Sequence, residues 1–227
     1  MKIEIFADSD AAARAGALFI ANEARSAVAE RGKFLLAVSG GKNPWAMLKL
    51  LASEVLPWER IHIFQIDERI APAGDPDRNL THLLESLKTA SIAPENIHSM
   101  PVNGIDPIEG AKSYEETLIR ICGIPPILDL AHLGLGPDGH TASLVPNDPV
   151  LTVGERDVAI TGIYQDRCRM TLTYPMINRS RKILWLATGA EKAPMIARLK
   201  DADPSIPAGR ISQENALLFA DEAALGV

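Results

Sequence analysis

Proton transfer near neutral pH calls for an imidazole, and one of the five histidines stands in a loop that could present it. The run Leu133-Gly134-Leu135-Gly136-Pro137-Asp138-Gly139-His140-Thr141-Ala142-Ser143-Leu144 brings three glycines and a proline ahead of His140. Those residues force a tight, exposed backbone path. His140 is suited to taking a proton from water and returning it to a leaving group. Asp138, two residues earlier, either orients the imidazole or shapes the loop. Ser143 lacks the Gly-x-Ser-x-Gly setting of a strained nucleophile and reads as a supporting hydroxyl. His62 and His132 lie in apolar runs, His82 in a helical one and His98 in a short irregular segment. None has metal-ligand spacing to another candidate, so no metal is expected.

Anion binding is the second chemistry in view. Ser39-Gly40-Gly41-Lys42-Asn43-Pro44 joins an apolar strand to a helix start. Free backbone N–H groups and the positive end of the helix dipole favour a phosphate there. The spacing is neither that of a Walker A loop nor of the dinucleotide fingerprint. Asp67-Glu68-Arg69 follows another strand directly. Asp67 is expected in the crevice, Glu68 in a solvated loop start, and Arg69 offers a planar fork to an anion. Arg169 and Lys192, taken alone, read as surface charges.

The elements that must hold these groups alternate along the chain. Strands are expected at 2–6, 33–38, 61–66, 127–133, 158–163, 169–173, 182–188 and 216–220, the fifth and sixth as a hairpin. Between them lie helical patterns at about 10–30, capped by Asp8 or Ser9 with Leu18, Phe19 and Val28 inward, and from Pro44, at 79–87, 107–121 and around Lys192. Pro44 fits the first helical position. Such alternation predicts an α/β fold with a mostly parallel, doubly wound sheet covered on both faces. Glycine-rich loops at the carboxyl ends of buried strands are where such sheets place ligands.

The chain has 227 residues, 47% hydrophobic and 23% charged, the profile of a soluble globular protein. No repeat or long linker divides it, so one domain over 1–227 is expected. A net charge of -6 argues against nucleic acid as a partner, while a local basic pocket stays compatible with it. Cys122 and Cys168 form no paired motif, which suits a reducing cytoplasm. The first residues alternate like a strand, with neither a signal-peptide core nor a membrane-length apolar run.

Taken together, the Ser39-Gly40-Gly41 loop, Asp67-Glu68-Arg69 with Asn79, and the stretch from Leu133 through Pro146 resemble the 6-phosphogluconolactonase family. Arg169-Met170-Thr171-Leu172-Thr173 and Gly189-Ala190-Glu191-Lys192 extend the likeness across nearly the whole chain. The resemblance implies hydrolysis of 6-phospho-D-glucono-1,5-lactone, the second step of the oxidative pentose phosphate pathway, without metal or organic cofactor. It also implies a modified Rossmann-like sheet shared with sugar-phosphate isomerases; the sequence leaves the oligomeric state open between a monomer and a weak dimer. On this basis Ser39, Gly40, Gly41, Lys42, Asn43, Arg169 and Lys192 hold the phosphate. Asp67 and Arg69 orient the sugar, His140 is the general base, and glycine-loop amides serve the oxyanion. In the first loop, Lys42-Asn43 replaces the family's usual small residue or arginine followed by threonine. The neighbouring glucosamine-6-phosphate deaminases carry Phe-Asn-Glu-Pro where this chain has Ser143-Leu144-Val145-Pro146. A phosphosugar-binding regulator without turnover is the further alternative.

Overall fold

The computed structural model describes residues 1–104 and 106–226. Its strands are β1 (Lys2–Phe6), β2 (Phe34–Val38), β3 (Ile61–Gln65), β4 (Asp67–Arg69), β5 (Ile97–His98), β6 (Leu130–Leu133), β7 (Val158–Ile160), β8 (Arg169–Leu172), β9 (Lys182–Ala187) and β10 (Ala216–Asp221). The helices are α1 (Ser9–Arg31), α2 (Lys42–Leu51), α3 (Asn79–Leu87), α4 (Pro107–Cys122), α5 (Tyr174–Asn178), α6 (Ala193–Lys200) and α7 (Glu222–Leu225).

Seven strands pair in parallel in the order β1-β10-β9-β6-β2-β3-β5. β2 and β6 are apolar and buried at nearly every position, as central strands covered on both faces must be. One core layer packs the sheet against α1, α2 and α3, the other against α4, α5 and α6. From β2 the chain winds outward through β3 and β5, then returns to β6 and proceeds the other way through β9 and β10. The order therefore reverses between β2 and β6, and the Ser39 and Gly134 loops leave the sheet side by side at that switch point. Among the described residues no helix is long and apolar enough to cross a membrane.

Several expectations need correction. Asp67–Arg69 is not a loop start but a strand, and with β8 and β7 it makes a separate antiparallel sheet of three. The hairpin-like pair was legible, but its third strand was too short to show a period. α2 begins at Lys42 with Gly41 as its cap, so Pro44 is the third helical residue rather than the first. Proline is tolerated there because the first-turn N–H groups have no helical partner. α1 is capped by Asp8, whose side chain accepts from the Ala11 amide at 2.7 Å. Its inward face is mostly alanine, from Ala12 to Ala27 with Gly16 and Ile20 among them, while Leu18 is 51% exposed. The helix lies close against α2: a Cβ at Gly16 would meet the Met47 sulfur at 2.7 Å. Only small side chains fit that approach. Lys192 lies in a short 3-10 turn, Ala190–Lys192, ahead of α6 rather than inside a helix.

Candidate active site

Four loops at the carboxyl ends of β9, β6, β2 and β3 open onto one cavity of about 650 Å³. Ser39 to Asn43, Asp67, Arg69, Gly136, His140, Arg169 and Lys192 all line it, so residues spread over most of the sequence meet in one cleft.

His140 is held by its own loop. Its Nδ1 lies 2.5 Å from Asp138 Oδ1, and its backbone N–H donates to the same oxygen at 3.1 Å. An ionised carboxylate only accepts, so Nδ1 carries the hydrogen, and in the neutral imidazole the lone pair is on Nε2. Burial pushes the Asp138 carboxyl up, but the charge and two hydrogen bonds of His140, with one from the Tyr164 hydroxyl, outweigh it and leave the group below its usual range. The carboxylate is thus ionised wherever the imidazole can act as a base. Gly136 makes room for the ring: a Cβ there would lie 2.1 Å from Nδ1. Gly136→Ala must therefore push the imidazole off Asp138. We expect kcat to fall by about 10²-fold, the cost of a misplacement near 1 Å, with KM nearly unchanged. Steady-state kinetics beside a melting curve test this; a fully active variant would contradict the geometry.

The antiparallel sheet delivers the cations. Arg69 and Arg169 are directly opposite in the β4–β8 ladder, with Asp67 opposite Thr171 two residues along. Like charges directly opposite are unfavourable without a shared counter-ion. Arg69 Nη1 donates to the Asp77 carbonyl at 2.6 Å and to Asn79 Oδ1 at 3.2 Å. Arg169 is nearly buried; its Nη2 donates to Gln165 Oε1 at 2.9 Å, while its Nε has no partner among the described residues. Burial lowers the Arg169 guanidinium from its ordinary value, and Asp67 partly offsets this. Burial likewise raises Asp67, against a 2.6 Å hydrogen bond from Ser143 and the charge of Arg169. Ser143 is a supporting hydroxyl, as its sequence setting suggested.

At the β2 loop, Gly40 lets Asn79 pass close by: a Cβ would stand 2.2 Å from its Oδ1. Gly41 holds φ +136°, open to glycine and strained for other residues. The Asn43 amide donates to the Thr188 hydroxyl at the end of β9, tying two loops together. In the glycine loop, the amides of Gly136, Gly139 and His140 are already bonded to His140 O, Gly136 O and Asp138. Those three amides are used by the turn itself, so an oxyanion would have to be met by other amides of the loop, such as those of Leu135 and Asp138. Glu68 overturns its expectation as well. It is fully buried and accepts five hydrogen bonds, from Gln65 Nε2, Arg78 Nε and the amides of Arg69, Asn79 and Leu80.

The other histidines stay outside this chemistry. His132 is fully buried, and burial pulls it down to about 4, so it is neutral. His62 and His98 stack at the edge of the sheet with Nδ1 and Nε2 3.0 Å apart. His82 stacks on Trp45 at the cavity wall. Sequence reading missed Tyr164, whose hydroxyl donates to Asp138 Oδ2 at 3.0 Å. Its only local signal is an aromatic residue in a polar turn ahead of Arg169.

Sheet, switch point and cleft define a Rossmann-like α/β protein with its ligand site at the carboxyl edge of the strands. The chain belongs to the family whose model is described as glucosamine-6-phosphate isomerases/6-phosphogluconolactonase, which matches residues 7–219. It is 40% identical over 201 residues to a 6-phosphogluconolactonase of Synechocystis, covering 85% of this chain and 83% of that protein. A 6-phosphogluconolactonase of Nostoc is 33% identical over 232 residues, covering 99% and 96%. The crystal structure of 6-phosphogluconolactonase from Thermotoga maritima superposes with a TM-score of 0.87 at 27% identity, covering 97% of this chain and 98% of that one.

Proposed function

We propose that this protein hydrolyses 6-phospho-D-glucono-1,5-lactone to 6-phospho-D-gluconate, with His140 as the general base. The observation that carries the reading is the His140–Asp138 pair, which engages Nδ1 and leaves Nε2 as the ring nitrogen free of Asp138, on a residue lining a cavity that also holds Arg69, Arg169 and Lys192. A monoanion-to-dianion phosphate needs those cations, and a lactone is already an activated ester that water can attack once deprotonated. Nε2 takes a proton from water as the oxygen adds to C1. The ring C–O bond then breaks, and the imidazolium returns the proton to the departing ring oxygen. No covalent enzyme intermediate is required.

Ser39 to Asn43, Arg169 and Lys192 hold the phosphate in this reading, while Asp67 and Arg69 orient the ring and its hydroxyls. Unbonded amides at the start of α2 add to that anion field. The oxyanion is met by the glycine-loop amides that the turn does not use, with the neighbouring guanidinium groups adding positive field. The deaminase alternative requires a carboxylate where this chain has Val145, which is packed into the core. Free Cys122 and Cys168 suit the same enzyme working in the cytoplasm.

Fresh lactone assayed by acid release is the direct test, with glucosamine 6-phosphate and ammonia detection beside it. Rapid acid release without ammonia supports the lactonase; binding without turnover would favour the regulator. Lys192→Ala should raise KM about tenfold or more, the worth of one charge-assisted hydrogen bond, and leave kcat close to wild type. An unchanged KM would remove Lys192 from the phosphate site.

A further inference from the structure

We propose that Tyr164 is a positioning residue that couples the anion held at Arg169 to the His140–Asp138 pair. The inference rests on the lactonase reading above and adds to it a residue that acts through Asp138 rather than on substrate.

Asp138 sits only two residues from His140, and a short side chain on a glycine-rich turn has several rotamers to choose from. Both of its oxygens are occupied. Oδ1 takes Nδ1–H and the His140 amide, and Oδ2 takes the Tyr164 hydroxyl at 3.0 Å. Tyr164 Oη also lies 3.4 Å from Nδ1, but both groups are committed donors to the carboxylate, so this is contact rather than a bond. The phenol ring meets the imidazole edge-on, with centroids 5.5 Å apart at 67°. A carboxylate pinned at both ends cannot rotate away, and the imidazole keeps one acceptor and one tautomer.

The phenol ring itself carries the second half of the coupling. The Arg169 guanidinium carbon stands 5.0 Å from the ring centroid, and Arg169 Nη2 donates to the next residue, Gln165. A cation over the ring is attracted to its π face and draws electron density from the hydroxyl, making it a stronger donor to Asp138. The turn is built to hold this place. Tyr164 and Arg167 exchange backbone hydrogen bonds, and Gln165 and Asp166 both take positive φ, 50° and 64°. Arg167 Nη2 then reaches Asp75 and Asp77 at 3.2 and 3.1 Å, and the Asp77 carbonyl accepts from Arg69. One connected network therefore runs from the two arginines through the turn to the base. Substrate anion that draws Arg169 to itself shifts the platform on which the phenol rests.

Tyr164→Phe keeps the ring and loses only the hydroxyl. We expect kcat to fall about tenfold, the worth of one hydrogen bond to a charged group, with KM within about twofold and the melting temperature unchanged. The acid limb of kcat/KM should move to higher pH, because the whole Asp138 charge then falls on the imidazolium. A purely structural role would lower the profile without moving it. Tyr164→Ala, which also removes the platform under Arg169, should raise KM as well. Ile163→Ala, at an exposed neighbouring side chain, should behave as wild type. Wild-type kcat and an unmoved acid limb in Tyr164→Phe would overturn the inference while leaving the lactonase reading intact; a wild-type protein that does not open the lactone would overturn both.

Discussion

Alanine at position 140 should lower kcat for the phosphogluconolactone by about 10²–10⁴-fold, the usual worth of a general base. The fold should survive the change. His140 is a partly exposed loop residue, and among the described residues its side chain bonds only to Asp138 and touches Tyr164. KM should move little, because the residues proposed to hold the phosphate lie on other loops. The assay is best run below neutral pH, where the lactone's own opening by hydroxide is slow and acid release reports the enzyme. His140→Gln is the sharper companion: it keeps the volume and a hydrogen bond to Asp138 but offers no basic nitrogen. Both variants should be similarly slow. Turnover near wild type in either would assign the proton transfer to another group, of which Asp67 is the nearest in kind. Burial raises that carboxyl, yet Ser143 and Asn79 occupy both of its oxygens, which fits the orienting part proposed for it.

Glu68→Ala should cause the largest loss of stability, about 3–5 kcal/mol, the cost of removing one partner from a buried ion pair. Arg78 is left as a buried charge without its carboxylate, 3.4 Å away in the native protein. The Gln65 amide and three backbone N–H groups lose their acceptor as well. Two of those, on Asn79 and Leu80, are the first amides of α3, so Glu68 caps that helix from a distant strand. Asn79 in turn bonds Asp67 and Arg69, so the cavity should loosen along with the fold. Urea unfolding should show a lower midpoint with a similar slope. Glu68→Gln should recover little, since its amide turns donors toward donors. A loss below about 1 kcal/mol would return Glu68 to the solvated loop its local sequence suggests.

The two residues also mark how far the sequence could be read. His140 and Asp138 are two positions apart, and their pairing is a property of one glycine-bounded turn. The same holds for the glycine loop from Ser39, the buried central strands and the alternation that builds a parallel sheet. Each depends on residue type and spacing within about a dozen positions, where backbone sterics and hydrophobic period act. Their family resemblance could be read from the same short runs.

Glu68, Tyr164 and the face of α1 were decided elsewhere. A carboxylate is driven to solvent or buried according to the donors that meet it. Although those of Glu68 come from Gln65, Arg69 and residues 78–80, no strand or helix period brings the start of α3 back over the strand; only the folded loop between them does. Tyr164 finds Asp138 only because the antiparallel sheet folds its turn back over the glycine loop. α1 buries alanine and exposes Leu18 because α2 packs closely against it. The sequence by itself determined which chemistry was present and which loops carried it. Only tertiary structure decided which charges lost their water and which distant hydroxyl took hold of the base, since desolvation and long-range hydrogen bonds depend on neighbours that local spacing does not specify.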